Sequence, residues 1–143
     1  MGVFDEEKDH MKTIGIAVVP PWRTREHLDA LPVLCREAGI TDLGYMIQCH
    51  PESQPLMEKI NDSVARFERA RDVLRAEKIG IGILLQTTVN HGDRYQPLSS
   101  VEFQRIVGHD GKECPACYCP TDRGFLEYMF SVAERLAGAA PDF

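Results

Sequence analysis

The sequence has no apolar run near the roughly 20 residues that cross a bilayer. Its start, "MGVFDEEKDHMK", has no apolar core of the kind a secretory signal needs. Glu6 stands where an N-myristoylation signal requires Ser or Thr after Gly2. No membrane partner is therefore expected. Basic clusters are missing as well: 16 Lys and Arg stand against 22 Asp and Glu, a formal charge of −6. Neutralising phosphates takes clustered cations, so no nucleic-acid partner is expected. Cysteine does not supply an even disulfide framework. Five thiols without a secretion signal predict a reduced, cytoplasmic protein. The "NDS" sequon at Asn61 then carries no meaning.

Phosphate-cradling and nucleophile motifs are absent too. Neither G-x-x-x-x-G-K-[ST] nor G-x-S-x-G occurs, and "GIGILL" places Leu85 where a dinucleotide fingerprint needs its third glycine. Its glycines, Gly80 and Gly82, also lie inside an apolar run rather than after it. No cofactor is expected. A pair of carboxylates for acid–base chemistry cannot be singled out, because Glu52, Asp93, Asp110, Glu113 and Asp122 are scattered over loops.

What is there is ordinary globular composition, 43% hydrophobic and 27% charged over 143 residues, enough for one core. Three apolar runs punctuate the chain: "TIGIAVVP" (13–20), "DLGYMIQC" (42–49) and "IGIGILLQTTV" (79–89). They are nearly continuous rather than alternating, as strands covered on both faces are. Helical stripes follow each. Leu28, Leu31, Cys35 and Ala38 mark the first, with Thr24 as cap, Gly39 as stop and Pro32 predicting a kink or break. Ile60, Val64, Phe67, Ala70 and Leu74 mark the second, and Phe125, Met129, Val132 and Leu136 the third.

Strand and helix repeated in this order predict an α/β fold of parallel βα repeats. One domain over 1–143 is expected, with a loop insertion at about 90–122 before the third helix. Pro141 and Phe143 stand where a fourth strand would start.

The carboxyl ends of parallel strands are where α/β proteins place ligand-binding groups. The first run ends in "PPWR" with Trp22, the second in "QCHPE" with Gln48, His50 and Glu52, and the third in "QTTVNHGD" with Gln86, His91 and Asp93. An aromatic platform with amides, imidazoles and carboxylates suits a polyhydroxylated ligand. Trp22, His50, Gln86, His91 and Asp93 are thus the candidate carbohydrate-contacting residues. The plainer alternative is that Gln86, Thr87 and Thr88 satisfy loop backbone and His91 caps the next segment.

"CPACYC" brings Cys114, Cys117 and Cys119 close in sequence, with His109 upstream. Thiolates and imidazole suit tetrahedral zinc, and a small α/β module binding zinc through them is the alternative function. A second C-x-x-C pair is absent, so a loop thiol cluster is the simpler reading.

From "TIGIAVVPPWR" onward the chain resembles bacterial glycoside-hydrolase-like (β/α)8 proteins. The resemblance rests on Gln86–Gly92 at the third strand end, on a "VGHDG" hairpin (Val107–Gly111), on Cys119–Pro120 opening a helix, and on "GFLEY" (Gly124–Tyr128) in that helix. It implies a partial TIM-type (β/α)8 barrel, about the first three βα units, of a glycosidase. A whole barrel takes about 250 residues. By the same resemblance the catalytic carboxylates lie on later strands, outside this chain, so the chain is expected to be inactive alone. Its carbohydrate contacts would remain, and an open third-strand edge is expected to favour self-association.

Overall fold

A computed structural model describes residues 12–17, 24–51, 55–86 and 103–143. Trp22, Glu52, Thr87, Thr88, His91 and Asp93 lie outside the described residues. The elements run in the predicted order: β1 (Ile14–Ala17), α1 (Arg25–Glu37), β2 (Asp42–Gln48), α2 (Glu58–Ala76) and β3 (Gly80–Gln86). Then come β4 (Arg105–Val107), β5 (Glu113–Tyr118) and α3 (Arg123–Ala137).

The first three strands form one parallel sheet in the order β1-β2-β3, with Ile14 beside Asp42 and Asp42 beside Gly80. Strand order equal to chain order means that each crossover steps the same way. With right-handed crossovers, both helices then fall on one face of the sheet. The packing agrees: α1 lies on α2 and α2 on α3. Leu43, Tyr45 and Ile47 alternate along β2 toward these helices and are buried, Tyr45 with its ring 5.9 Å from that of Phe67. On the other face Gly44, Met46 and Leu84 are joined by Ile14 and Ile16, which stay 57% and 59% exposed.

The helices form where their stripes predict. Thr24 caps α1, its hydroxyl accepting from the His27 N–H at 3.3 Å. Gly39 leaves the helix with φ +67°, a conformation in which a Cβ would be strained. Pro32 does not break α1, which runs unbroken through it. Pro32 is one of the buried residues of the helix. The whole predicted stripe of α2, Ile60, Val64, Phe67, Ala70 and Leu74, is at most 1% exposed. In α3 the buried positions are Phe125, Tyr128, Val132 and Leu136, so Tyr128 takes the core place expected for Met129, which is half-buried.

Two features refine the predicted outline. Part of the 90–122 insertion, expected as a loop, is an antiparallel hairpin, β4–β5, turning at Val107–Gly111 where the resemblance implies a hairpin. Gly111 turns it at φ +76°, the Gly108 N–H donates to Lys112 O, and the Lys112 N–H donates to the Asp110 carboxylate. Three residues of β4 oppose six of β5, so β5 bulges. Second, the outer edge of β3 is partly occupied. The Asp142 N–H donates to Ile81 O and the Ile83 N–H to Phe143 O, at the fourth-strand position read from Pro141 and Phe143.

Candidate functional site

β2 carries its chain from the buried Ile47 to the exposed Gln48, then to Cys49 and His50, both buried just past the strand. The Cys49 thiol lies 3.7 Å from Ile47 O, and burial pushes its pKa up to about 11. His50 is 3% exposed, its ring centroid 6.1 Å from that of Tyr118 at the end of β5. The hairpin thus reaches back over the carboxyl end of β2.

An aromatic cluster fastens it there. Phe103 meets Tyr118 edge-on at 5.7 Å and Phe125 at 5.8 Å, and Tyr118 stacks on Phe125 at 5.4 Å. Such ring pairs contribute about 0.5–1.5 kcal/mol each beyond their area. The Tyr128 hydroxyl, buried on α3, donates to Cys49 O at 3.0 Å, tying α3 to the same strand end. The Arg105 guanidinium lies over the Tyr118 ring at 5.3 Å.

Beside this cluster a cleft of about 370 Å³ opens between the amino-terminal ends of α2 and α3. Leu56, Met57, Phe103 and Tyr128 give it apolar and aromatic walls, while Glu127 and Ser131 add a carboxylate and a hydroxyl. Gly124 keeps it open, because a Cβ there would press on the Phe103 ring at 3.2 Å. Asp122 starts α3, its carboxylate accepting from the Phe125 N–H at 2.7 Å.

The predicted contact residues are therefore placed unevenly. Gln86 closes β3 in register with Gln48, so two amide-bearing residues stand side by side at the strand ends. The Gln86 side chain lies outside the described residues, as do Trp22, His91 and Asp93. His50 is at the predicted strand end but faces the hairpin rather than solvent. Sequence reading missed Phe103, Tyr118 and Tyr128, and only the Tyr of "GFLEY" gave a signal for any of them.

The cysteines correct another expectation. Cys114 and Cys117 sit on a paired strand, β5, with Cys119 just beyond it, whereas a loop cluster was expected. His109 is exposed in the hairpin turn. Among the described residues no group of three or more His, Cys, Asp or Glu side chains is gathered to hold a metal ion. Cys35, Cys49 and Cys119 carry free thiols. Thr121 bonds the Cys119 thiol at 3.1 Å and draws its pKa below the ordinary value. No described helix is long and apolar enough to cross a membrane.

No protein-family model matches this chain, and no curated protein matches it either.

Proposed function

We propose that the chain is a sector of a (β/α)8 barrel of the glycoside-hydrolase kind, contributing carbohydrate contacts at its strand ends. The observation that carries this reading is the sheet order. Three parallel strands follow one another in chain order, Asp142 and Phe143 take a fourth position beside β3, and the helices pack in sequence on one face. A barrel sector needs that arrangement, whereas a doubly wound sheet reverses its strand order. The exposed Ile14 and Ile16 then line the interior of the barrel. The flank of α3 bearing Leu126 and Phe130 is where the next helix would pack.

The strand ends, with the hairpin and its aromatic cluster over them, form the floor of the sugar site. Trp22, Gln86, His91 and Asp93 make the contacts, and His50 supports them from beneath the hairpin. The catalytic carboxylates lie elsewhere in the barrel, and the chain alone does not hydrolyse glycosides. Five cysteines, an odd number, fit a reducing, cytoplasmic setting. Self-association through an open sheet edge belongs to the same reading.

Trp22 is the only tryptophan, so its fluorescence reports the site directly. Titration with a panel of methyl glycosides and short oligosaccharides is expected to shift that emission for at least one sugar. Trp22→Phe and Asp93→Ala should abolish or weaken binding measured by calorimetry. A panel that leaves both emission and heat unchanged would reject the carbohydrate reading. Robust cleavage of aryl-glycosides by this chain would reject the inactive-alone clause.

A further inference from the structure

We infer that the cleft between α2 and α3 is a binding site for a neutral aromatic ring that carries a hydroxyl, a phenol in the broad sense. The cleft lies among the helices rather than over the strand ends, and the inference stands apart from the carbohydrate reading.

The walls select a ring. Leu56, Met57 and Phe103 are apolar and only half-buried, so they leave surface for a guest to cover. The Met57 thioether and the Phe103 and Tyr128 rings favour an aromatic guest through sulfur–ring and edge-to-face contacts. These rings are held in place before any ligand arrives. Phe103 packs on Tyr118, Phe125 and Tyr128 at centroid distances between 5.7 and 6.1 Å, and the Tyr128 hydroxyl is taken by Cys49 O. The absence of a Cβ at Gly124 spares the Phe103 ring a 3.2 Å contact. A volume of about 370 Å³ falls within the roughly 300–1,000 Å³ of small-molecule sites, which are likewise apolar with a few fixed polar groups.

The polar groups select a donor. Besides the committed Tyr128 hydroxyl, the described residues lining the cleft bring the polar side chains of Glu127 and Ser131. The Ser131 hydroxyl donates its proton to Glu127 O at 3.1 Å, so its oxygen can only accept from a ligand. A carboxylate also only accepts. The ligand must therefore bring an O–H or N–H. An anionic ring is repelled by Glu127. An ammonium meets the opposite penalty, because the amino-terminal ends of two helices carry positive partial charge and Arg123 already donates to Glu127 Oε1 at 2.9 Å. A neutral hydroxyl escapes both penalties: it donates to the carboxylate while its ring fills the apolar end.

The test titrates the isotope-labelled chain with four compounds of one ring system: naphthol, methoxynaphthalene, naphthoate and naphthylmethylamine. Backbone amide shifts at Met57, Gly124 and Ser131 locate binding, and near-ultraviolet circular dichroism establishes that each variant is folded. Naphthol is expected to shift those amides saturably below about 1 mM. The other three should bind about tenfold more weakly or worse, the scale of one hydrogen bond to a charged acceptor. Glu127→Met should bring naphthol down to the level of methoxynaphthalene. Ser131→Phe, at an exposed helix position, should fill the cleft and remove binding altogether. Naphthol that gives no saturable shifts at these residues, or binding that Ser131→Phe leaves intact, would overturn the site. Naphthoate or naphthylmethylamine binding as tightly as naphthol, or undiminished naphthol affinity in Glu127→Met, would overturn the ligand class.

Discussion

Three thiols of this chain differ in chemistry because of their surroundings. Cys35 and Cys49 are buried, and loss of hydration raises both their pKa values, Cys49 to about 11. Cys119 is half-buried and its thiolate is favoured by the Thr121 hydroxyl. Reactivity follows thiolate fraction and access. A thiol reagent at pH 8 should therefore label Cys119 well before Cys35 and Cys49, as peptide mapping by mass spectrometry would show. Thr121→Val should slow Cys119 labelling and leave the other two unchanged. Asp142 gives the acid counterpart. Its bond from Arg75 holds its carboxyl below the ordinary carboxylate range, helped by the Ile81 N–H. A group with a depressed folded pKa contributes stability above its unfolded value of about 4 and loses it as pH falls through the folded value. Acid unfolding below about pH 4 should consequently become less steep in Asp142→Asn, measured as melting temperature against pH.

At the scale of elements, the parts legible in the sequence are those set by local periodicity. Ile60, Val64, Phe67, Ala70 and Leu74 were readable as one stripe because a helix repeats every 3.6 residues, whatever it packs on. The three parallel strands were readable because their apolar runs are continuous. Periodicity did not show the hairpin, which only the resemblance at Val107–Gly111 implied, since β4 is three residues long and β5 interrupts its apolar pattern with a bulge and with Pro115. Nor was the burial of His50, because nothing local to "QCHPE" announces that Tyr118, 68 positions away, will lie over it. Non-local closure of this kind is decided by tertiary contacts alone. Two substitutions separate the two classes. Phe67→Ala empties the centre of the α2 stripe and should cost about 3–5 kcal/mol in urea unfolding. Tyr128→Phe removes a single bond to Cys49 O and should cost about 0.5–1.5 kcal/mol, with faster exchange confined to the α3–β2 contact. A cost for Tyr128→Phe as large as that for Phe67→Ala would mean that the strand-end cluster, not the helix stripe, dominates the core.

For the whole molecule, the question is what the second face of the sheet meets in solution. One face packs on the helices, chiefly α2. The other exposes Ile14 and Ile16 at the β1 end and presents the Phe143 ring, 47% exposed, at the β3 end. A folded unit that hides its face only within a larger barrel behaves differently from one that hides it by pairing. In the isolated monomer, Ile14→Ser/Ile16→Ser removes side chains already in water. The double substitution should then change stability by no more than about 0.5 kcal/mol per site. Binding of an apolar fluorescent dye should fall, because the patch that recruits it is gone. If the face is instead buried by association, each substitution would remove about 1.5–3 kcal/mol of burial. That loss would appear as a melting temperature dependent on protein concentration. Melting curves at two concentrations, with the dye signal alongside, decide between the cases. A small, concentration-independent effect fits a barrel interior waiting for its remaining units. A large, concentration-dependent one means that the face already has a partner in a second copy.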